Sequence, residues 1–98
     1  MIKHIVIWHL KETANNKQGN ALLIKQKLEA LQGVIPGLLK IEVGMDFSQT
    51  ANSGDIVLYS EFDSRLSLAQ YQTHHEHKAI VPIIVENCFA RQVVDYEI

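Results

Sequence analysis

A chain of 98 residues, 47% hydrophobic and 20% charged, has the make-up of one folded domain rather than a disordered segment. A domain of this size buries only about 60–65% of its unfolded surface, so a partner subunit would add stability. Nine basic against eleven acidic side chains leave −2 with no block of like charge, which argues against a nucleic-acid binder and its clustered Lys/Arg.

Residues 2–10, IKHIVIWHL, are rich in Ile, Val and Trp and read as a strand. Its two faces are Lys3, Ile5, Ile7, His9 and His4, Val6, Trp8, Leu10; both carry apolar groups, so cover is expected on both sides. A helix is expected over 17–32, with Ala21, Ile24, Leu28 and Leu31 on one face and Gly33 free to take a positive φ at its end. Residues 38–47 alternate Leu39, Ile41, Val43, Met45, Phe47 against Leu38, Lys40, Glu42, Gly44, Asp46, a half-buried strand. Asn52-Ser53-Gly54 marks a turn before a third strand over 55–62. Asp63 or Ser64 can cap a second helix that carries Leu68 and Tyr71 and breaks near His74–His77; Pro82 then restarts a short segment to Asn87. Residues 88–97 form a last strand.

The order is β-α-β-β-α-β, an α+β ferredoxin-like pattern filling one domain, 1–98. Right-handed crossovers put both helices on one side of a four-stranded antiparallel sheet whose expected order is fourth, first, third, second strand. His4 and Asp95 thereby become neighbours. On the opposite face Ile5, Ile7, Val57, Tyr59, Val94, Tyr96 and Ile98 would form a patch larger than a monomer normally leaves wet, so a homodimer packing sheet against sheet is expected. The apolar run Ile80–Val85 is too short to span a bilayer, and the first residues lack the apolar core of a signal peptide, so the expectation is a cytoplasmic protein without membrane association. The single cysteine, Cys88, excludes an intrachain disulfide and a Cys-based metal cluster.

Lys3-His4-Ile5-Val6, the Ile35-Pro36-Gly37 turn, Tyr71-Gln72-Thr73-His74-His75-Glu76-His77 and Asp95-Tyr96, in this order, resemble the stress-responsive A/B barrel (Dabb) family over essentially the whole chain. The resemblance implies a dimer whose two sheets close into a barrel. Most members have no assigned activity, but a plant member is a polyketide cyclase performing an aldol condensation without metal or organic cofactor. By position its catalytic tyrosine falls on Tyr71, its catalytic histidine on His77, its first-strand pocket histidine on His4 and its supporting aspartate on Asp95. Ile24 and Leu28 stand where that enzyme is aromatic, and Ile56 where it has another pocket histidine, which implies a differently shaped pocket.

These residue types suit acid–base work at a carbonyl, with His77 as base, Tyr71 as hydrogen-bond donor to an enolate and Asp95 orienting His4. No cofactor is expected. Pocket walls follow from strand parity. Val6, Trp8, Ile41, Val43, Met45, Phe47, Ile56, Leu58, Arg91 and Val93 are expected to face the helices. Ile24, Leu28 and Leu31 close the other side, with Ile80, Ile83 and Ile84 as lids. Arg91 there either needs a carboxylate, such as Glu12, Glu42, Glu61 or a ligand's, or must snorkel to water. The His74–His77 run offers metal donors, but without HExxH spacing no metal site is expected; His74 or His75 is expected instead to cap the last carbonyls of the helix.

Three functions fit. The first is a small pocket for a carbonyl-bearing or aromatic molecule, with cofactor-free aldol, cyclase or isomerase chemistry. The second is a non-catalytic, stress-related structural or ligand-carrying dimer. The third, from other dimeric α/β-barrel families, is a cofactor-free monooxygenase-like enzyme.

Overall fold

Strand β1 (Ile2–Leu10) supplies the middle of the fold, with Ile2, His4, Val6, Trp8 and Leu10 buried beneath the helices. A computed structural model describes residues 1–12 and 16–98, and its remaining elements are α1 (Lys17–Glu29), β2 (Leu38–Met45), β3 (Ile56–Phe62), α2 (Arg65–Thr73), α3 (His75–Lys78), α4 (Val81–Asn87) and β4 (Cys88–Glu97). The sheet is antiparallel in the order β2-β3-β1-β4, as strand pairing and handedness required. The pairs His4↔Ser60 and His4↔Asp95 lie side by side across its centre. Among the described residues no helix is long and apolar enough to cross a membrane.

Helix α1 begins at Asn16, whose side chain accepts the Gly19 N–H at 2.9 Å, and ends sooner than its apolar spacing suggested. After Glu29 the chain tightens into turns, with Leu31 N–H donating to the Leu28 carbonyl at 3.1 Å, and reaches Gly33 at φ 81°. Ala21, Ile24 and Leu28 of α1, with Leu31 just beyond it, pack on Val6, Leu58, Ile41 and Val43 in one continuous core.

Strand β2 departs from simple alternation. Its register against β3 slips between Leu38 and Lys40, so Leu38 turns inward opposite Phe62 while Leu39 bulges outward, 52% exposed. Ile41 and Val43 keep their inward places, but Met45 lies exposed at the strand's end and Phe47, beyond it, is 94% exposed. The expected inward set Leu39, Met45 and Phe47 is therefore corrected: a bulge absorbs one residue at the start, and the strand stops before Phe47.

Helix α1 also guards the outer edge of β2. Glu29 accepts the Val43 N–H at 3.0 Å, Lys25 donates to the Val43 carbonyl at 2.6 Å, and Gln32 accepts the Ile41 N–H at 3.2 Å. Side chains thus occupy backbone groups that would otherwise template pairing with another strand.

Gly37 stands at φ 81°, and a Cβ there would lie 2.2 Å from Ser67 Oγ and 2.9 Å from Asp63 Oδ1. Its carbonyl accepts the Asp63 N–H at 3.0 Å, which ties the turn to the start of α2. Gly37→Ala is expected to cost about 1–3 kcal/mol through backbone strain and displacement of Ser67, read as a lowered Tm in thermal melts.

Candidate functional site

Helix α2 is capped by Ser64, which accepts the Ser67 N–H at 3.1 Å, and it turns Leu68 and Tyr71 into the core. On an unbroken helix Tyr71 and His77, six residues apart, would point about 120° apart. The helix breaks instead at His74, which adopts extended backbone at ψ 137°. His74 N–H still donates to the Tyr71 carbonyl at 3.1 Å, while its Nδ1 accepts the Glu76 N–H at 3.1 Å and starts α3. The break swings His77 back over Tyr71, with ring centroids 4.3 Å apart. The His74 ring therefore caps the start of α3, while its backbone N–H closes the end of α2. The ring that meets a terminal α2 carbonyl is that of His77, whose Nδ1 lies 3.3 Å from Gln72 O.

From the sheet, His4 rises beneath Tyr71, with centroids 6.1 Å apart. Its Nδ1 is hydrogen-bonded to Asp95 Oδ1 across the β1–β4 pair. Phe62 fills the remaining side, its ring 5.0 Å from Tyr71 and 6.3 Å from His4. Under the cluster the buried Ser60 hydroxyl donates to the His4 carbonyl at 2.9 Å. The structure thus brings together all four expected residues, Tyr71, His77, His4 and Asp95. Ser60 and Phe62 were missed; both lie on the buried parity of IVLYSEF, which was the available signal.

Both imidazoles engage an oxygen acceptor through Nδ1, a carboxylate for His4 and a carbonyl for His77. A carbonyl only accepts, so His77 Nδ1 carries the proton and Nε2 keeps the lone pair of the neutral ring. Burial holds the His77 pKa below its ordinary 6.5; the Gln72 carbonyl opposes this, and the charges of His4, Arg91 and His74 reinforce it. Burial also pushes the Tyr71 phenol well above its usual range, so it stays a protonated donor. Its hydroxyl is closed to solvent and has no hydrogen-bond partner among the described residues.

Of the expected pocket walls, Val6, Ile24, Leu28, Ile41, Ile56, Leu58 and Ile80 are buried core, filling the space between helices and sheet. Trp8 is buried as well, with its indole N–H unpartnered. Arg91 and Val93 share the helix-facing side with Trp8 and Val6 by register, yet both are exposed. Arg91 accordingly has no need of the structural carboxylate expected for a buried position. Glu12 pairs with Lys17 at 2.9 Å, Glu42 with Lys40 at 3.7 Å, and Glu61 accepts from the Tyr59 hydroxyl. The physical reason is that β4 is an edge strand which the helices leave bare on this side.

Two depressions lie along β4. A depression of about 280 Å³ is bordered by Ile2, Leu68 and Asp95, and another of about 210 Å³ by Trp8, Ile84 and Arg91. A larger hollow of about 400 Å³ lies elsewhere, lined by Leu10, Lys17, Asp46 and Asp55. Among the described residues no three His, Cys, Asp or Glu side chains converge to hold a metal. Burial raises the Cys88 thiol to about 11, which makes it a poor nucleophile.

A family model described as the Stress Responsive A/B Barrel Domain matches residues 2–98. No curated protein matches the chain. A dimeric protein of unknown function with a ferredoxin-like fold from Bacteroides fragilis is 36% identical over 99% of this chain and 95% of its own, with TM-score 0.89. A dimeric ferredoxin-like protein of unknown function from Thermobifida fusca is 24% identical over 99% and 90%, with TM-score 0.86. The hydroxynitrile lyase from Passiflora edulis shares the fold at 17% identity and TM-score 0.76, over 99% and 92%.

Proposed function

The chain belongs to the stress-responsive A/B barrel (Dabb) family, and from that premise we propose that its Tyr71–His77 site binds a small carbonyl-bearing molecule and moves a proton next to the carbonyl. The observation that carries this reading is the Tyr71 hydroxyl, a buried donor without a partner. Leaving such a group unsatisfied costs on the order of 1–3 kcal/mol, which a ligand oxygen accepting its hydrogen bond restores.

The chemistry follows from the two Nδ1 anchors. His77 Nε2 takes the proton from the carbon beside the carbonyl, and the electron pair moves into an enolate whose oxygen accepts from Tyr71 O–H. The enolate then attacks a second carbonyl carbon, an aldol outcome, or takes the proton back at another carbon, an isomerase outcome. In both, His77 returns the proton to the product and the balance closes without oxidant. Asp95 holds the His4 ring at the rim of the site, the orienting role an acid has in catalytic triads.

The same reading includes a second copy. Ile5, Ile7, Val57, Tyr59, Val94, Tyr96 and Ile98 lie on the uncovered sheet face, where Phe47 adds to the apolar area, and relatives of this fold are described as dimeric. Packing two such faces would supply the outer cover β1 calls for and close the barrel.

A non-catalytic dimer is the second reading, supported by the depth of Tyr71, which is 1% exposed. Exchange of the methyl protons of acetophenone into deuterated water, followed by NMR, tests the first. Acceleration over buffer, dependent on Tyr71 and His77, is the expected result. A rate equal to buffer, at probe concentrations that perturb Trp8 fluorescence, would favour the carrier.

A further inference from the structure

Arg91 is an exposed cation on the helix-facing side of β4. It stands opposite Trp8 in the β1–β4 register and so on the same side of the sheet as Val6, Trp8 and His4. Among the described residues it makes no ion pair, and the candidate carboxylates Glu12, Glu42 and Glu61 are engaged elsewhere. It borders the 210 Å³ depression with Trp8, Ile84, Val85 and Phe89, an apolar concavity with a charge at its rim. In the β1–β4 register it lies four residues before Asp95, on the side of the sheet where His4 meets Tyr71.

The polar groups left unspent here are donors. Tyr71 O–H and the Trp8 indole N–H are the two buried side-chain atoms without hydrogen-bond partners among the described residues, and Arg91 adds a guanidinium. Val85 and Phe89, 65% and 67% exposed, line the same depression as Trp8. A stretch with unspent donors and a cation is complementary to an acceptor-rich anion.

The geometry points to a carboxylate-binding subsite formed by Arg91 and Trp8, so that the ligand of the Tyr71–His77 site is a keto acid, its carbonyl at Tyr71 and its carboxylate at Arg91. This rests on the carbonyl reading of Tyr71 given above and extends it to a substrate class. Arg91 is a binding residue in this scheme and takes no part in proton transfer.

The test uses 4-oxopentanoate and its neutral amide, which share a ketone and differ in charge. Both absorb only weakly where Trp8, the one tryptophan of the chain, is excited, so its fluorescence reads binding. Wild-type protein should bind the acid about ten-fold more tightly than the amide, the discrimination expected of one charge-assisted pair. Arg91→Gln should abolish that preference and leave amide affinity unchanged, with Arg91→Lys retaining part of it. Melting curves of both variants should match wild type, since the side chain is exposed. Equal affinity for acid and amide in wild type, an equal loss of both in Arg91→Gln, or no response to either at millimolar concentration would overturn the subsite. Tyr71→Phe separates the two claims. If it weakens neither probe while the Arg91 effect persists, the anion subsite stands and the carbonyl role of Tyr71 fails.

Discussion

His77→Gln is expected to lower the α-proton exchange rate by about 10²–10⁴-fold, the usual contribution of a positioned general base. Glutamine can still donate to the Gln72 carbonyl but has no basic nitrogen, so the fold at the helix break survives while the chemistry does not. The ring is half-buried and contributes one stacking contact with Tyr71, so the stability loss should stay within about 1 kcal/mol. Tyr71→Phe makes the sharper pair with it. Removing an O–H that has no partner leaves stability unchanged or slightly raised, because no hydrogen bond is lost and a desolvated donor disappears. Its exchange rate should nevertheless fall about 10²–10³-fold, as expected when a donor to the developing oxyanion is removed. A purely structural cluster predicts the same small changes in Tm and no rate to lose. Rate by NMR on the same two variants decides between them, with Tm by calorimetry as the check on folding.

Val94→Asp is expected to convert the dimer to a monomer. Val94 pairs with Ile5, which in turn pairs with Tyr59, so it lies on the uncovered face, on the edge strand β4. It is 59% exposed in the single chain, which accommodates the carboxylate at little cost to the subunit's own fold. In a two-fold interface each substitution occurs twice. Burying an unpaired charge costs about 3–5 kcal/mol per copy, which amounts to more than about 10⁴-fold in the dissociation constant. Sedimentation should give twice the chain mass for wild type and the chain mass for the variant. A Val94→Asp protein that remains dimeric would move the interface away from this face.

Much of this site was legible because topology alone joins its distant parts. The pattern β-α-β-β-α-β with right-handed crossovers makes the first and last strands neighbours, and that fixes His4 against Asp95 whatever fills the core. The helix break was legible only as an interval. Nothing in Tyr71–His77 shows that His74 is the hinge, because the choice depends on its ring finding the Glu76 N–H. Adjacent Leu38 and Leu39 concealed the bulge in β2, since either satisfies an apolar inward position and the register against β3 decides between them. Arg91 lies on the helix-facing side, as parity expects, and of the two expected solutions it reaches water rather than a carboxylate. Parity reports which way a side chain points and not whether a helix extends far enough to cover it. The edge guard by Lys25, Glu29 and Gln32 looked like an ordinary polar helix face, and only its tertiary setting gives it a role.

The most direct test of the central claim is a ¹⁵N NMR titration of the His77 imidazole. A neutral ring protonated at Nδ1, with an unprotonated Nε2 and a midpoint below 6.5, is the predicted result. The sign follows from burial, which disfavours the charged ring in the folded state, so the free base persists as pH falls through 6.5 and is lost only below it. A ring protonated at Nε2, or one titrating above 6.5, would contradict the assignment of His77 as the base.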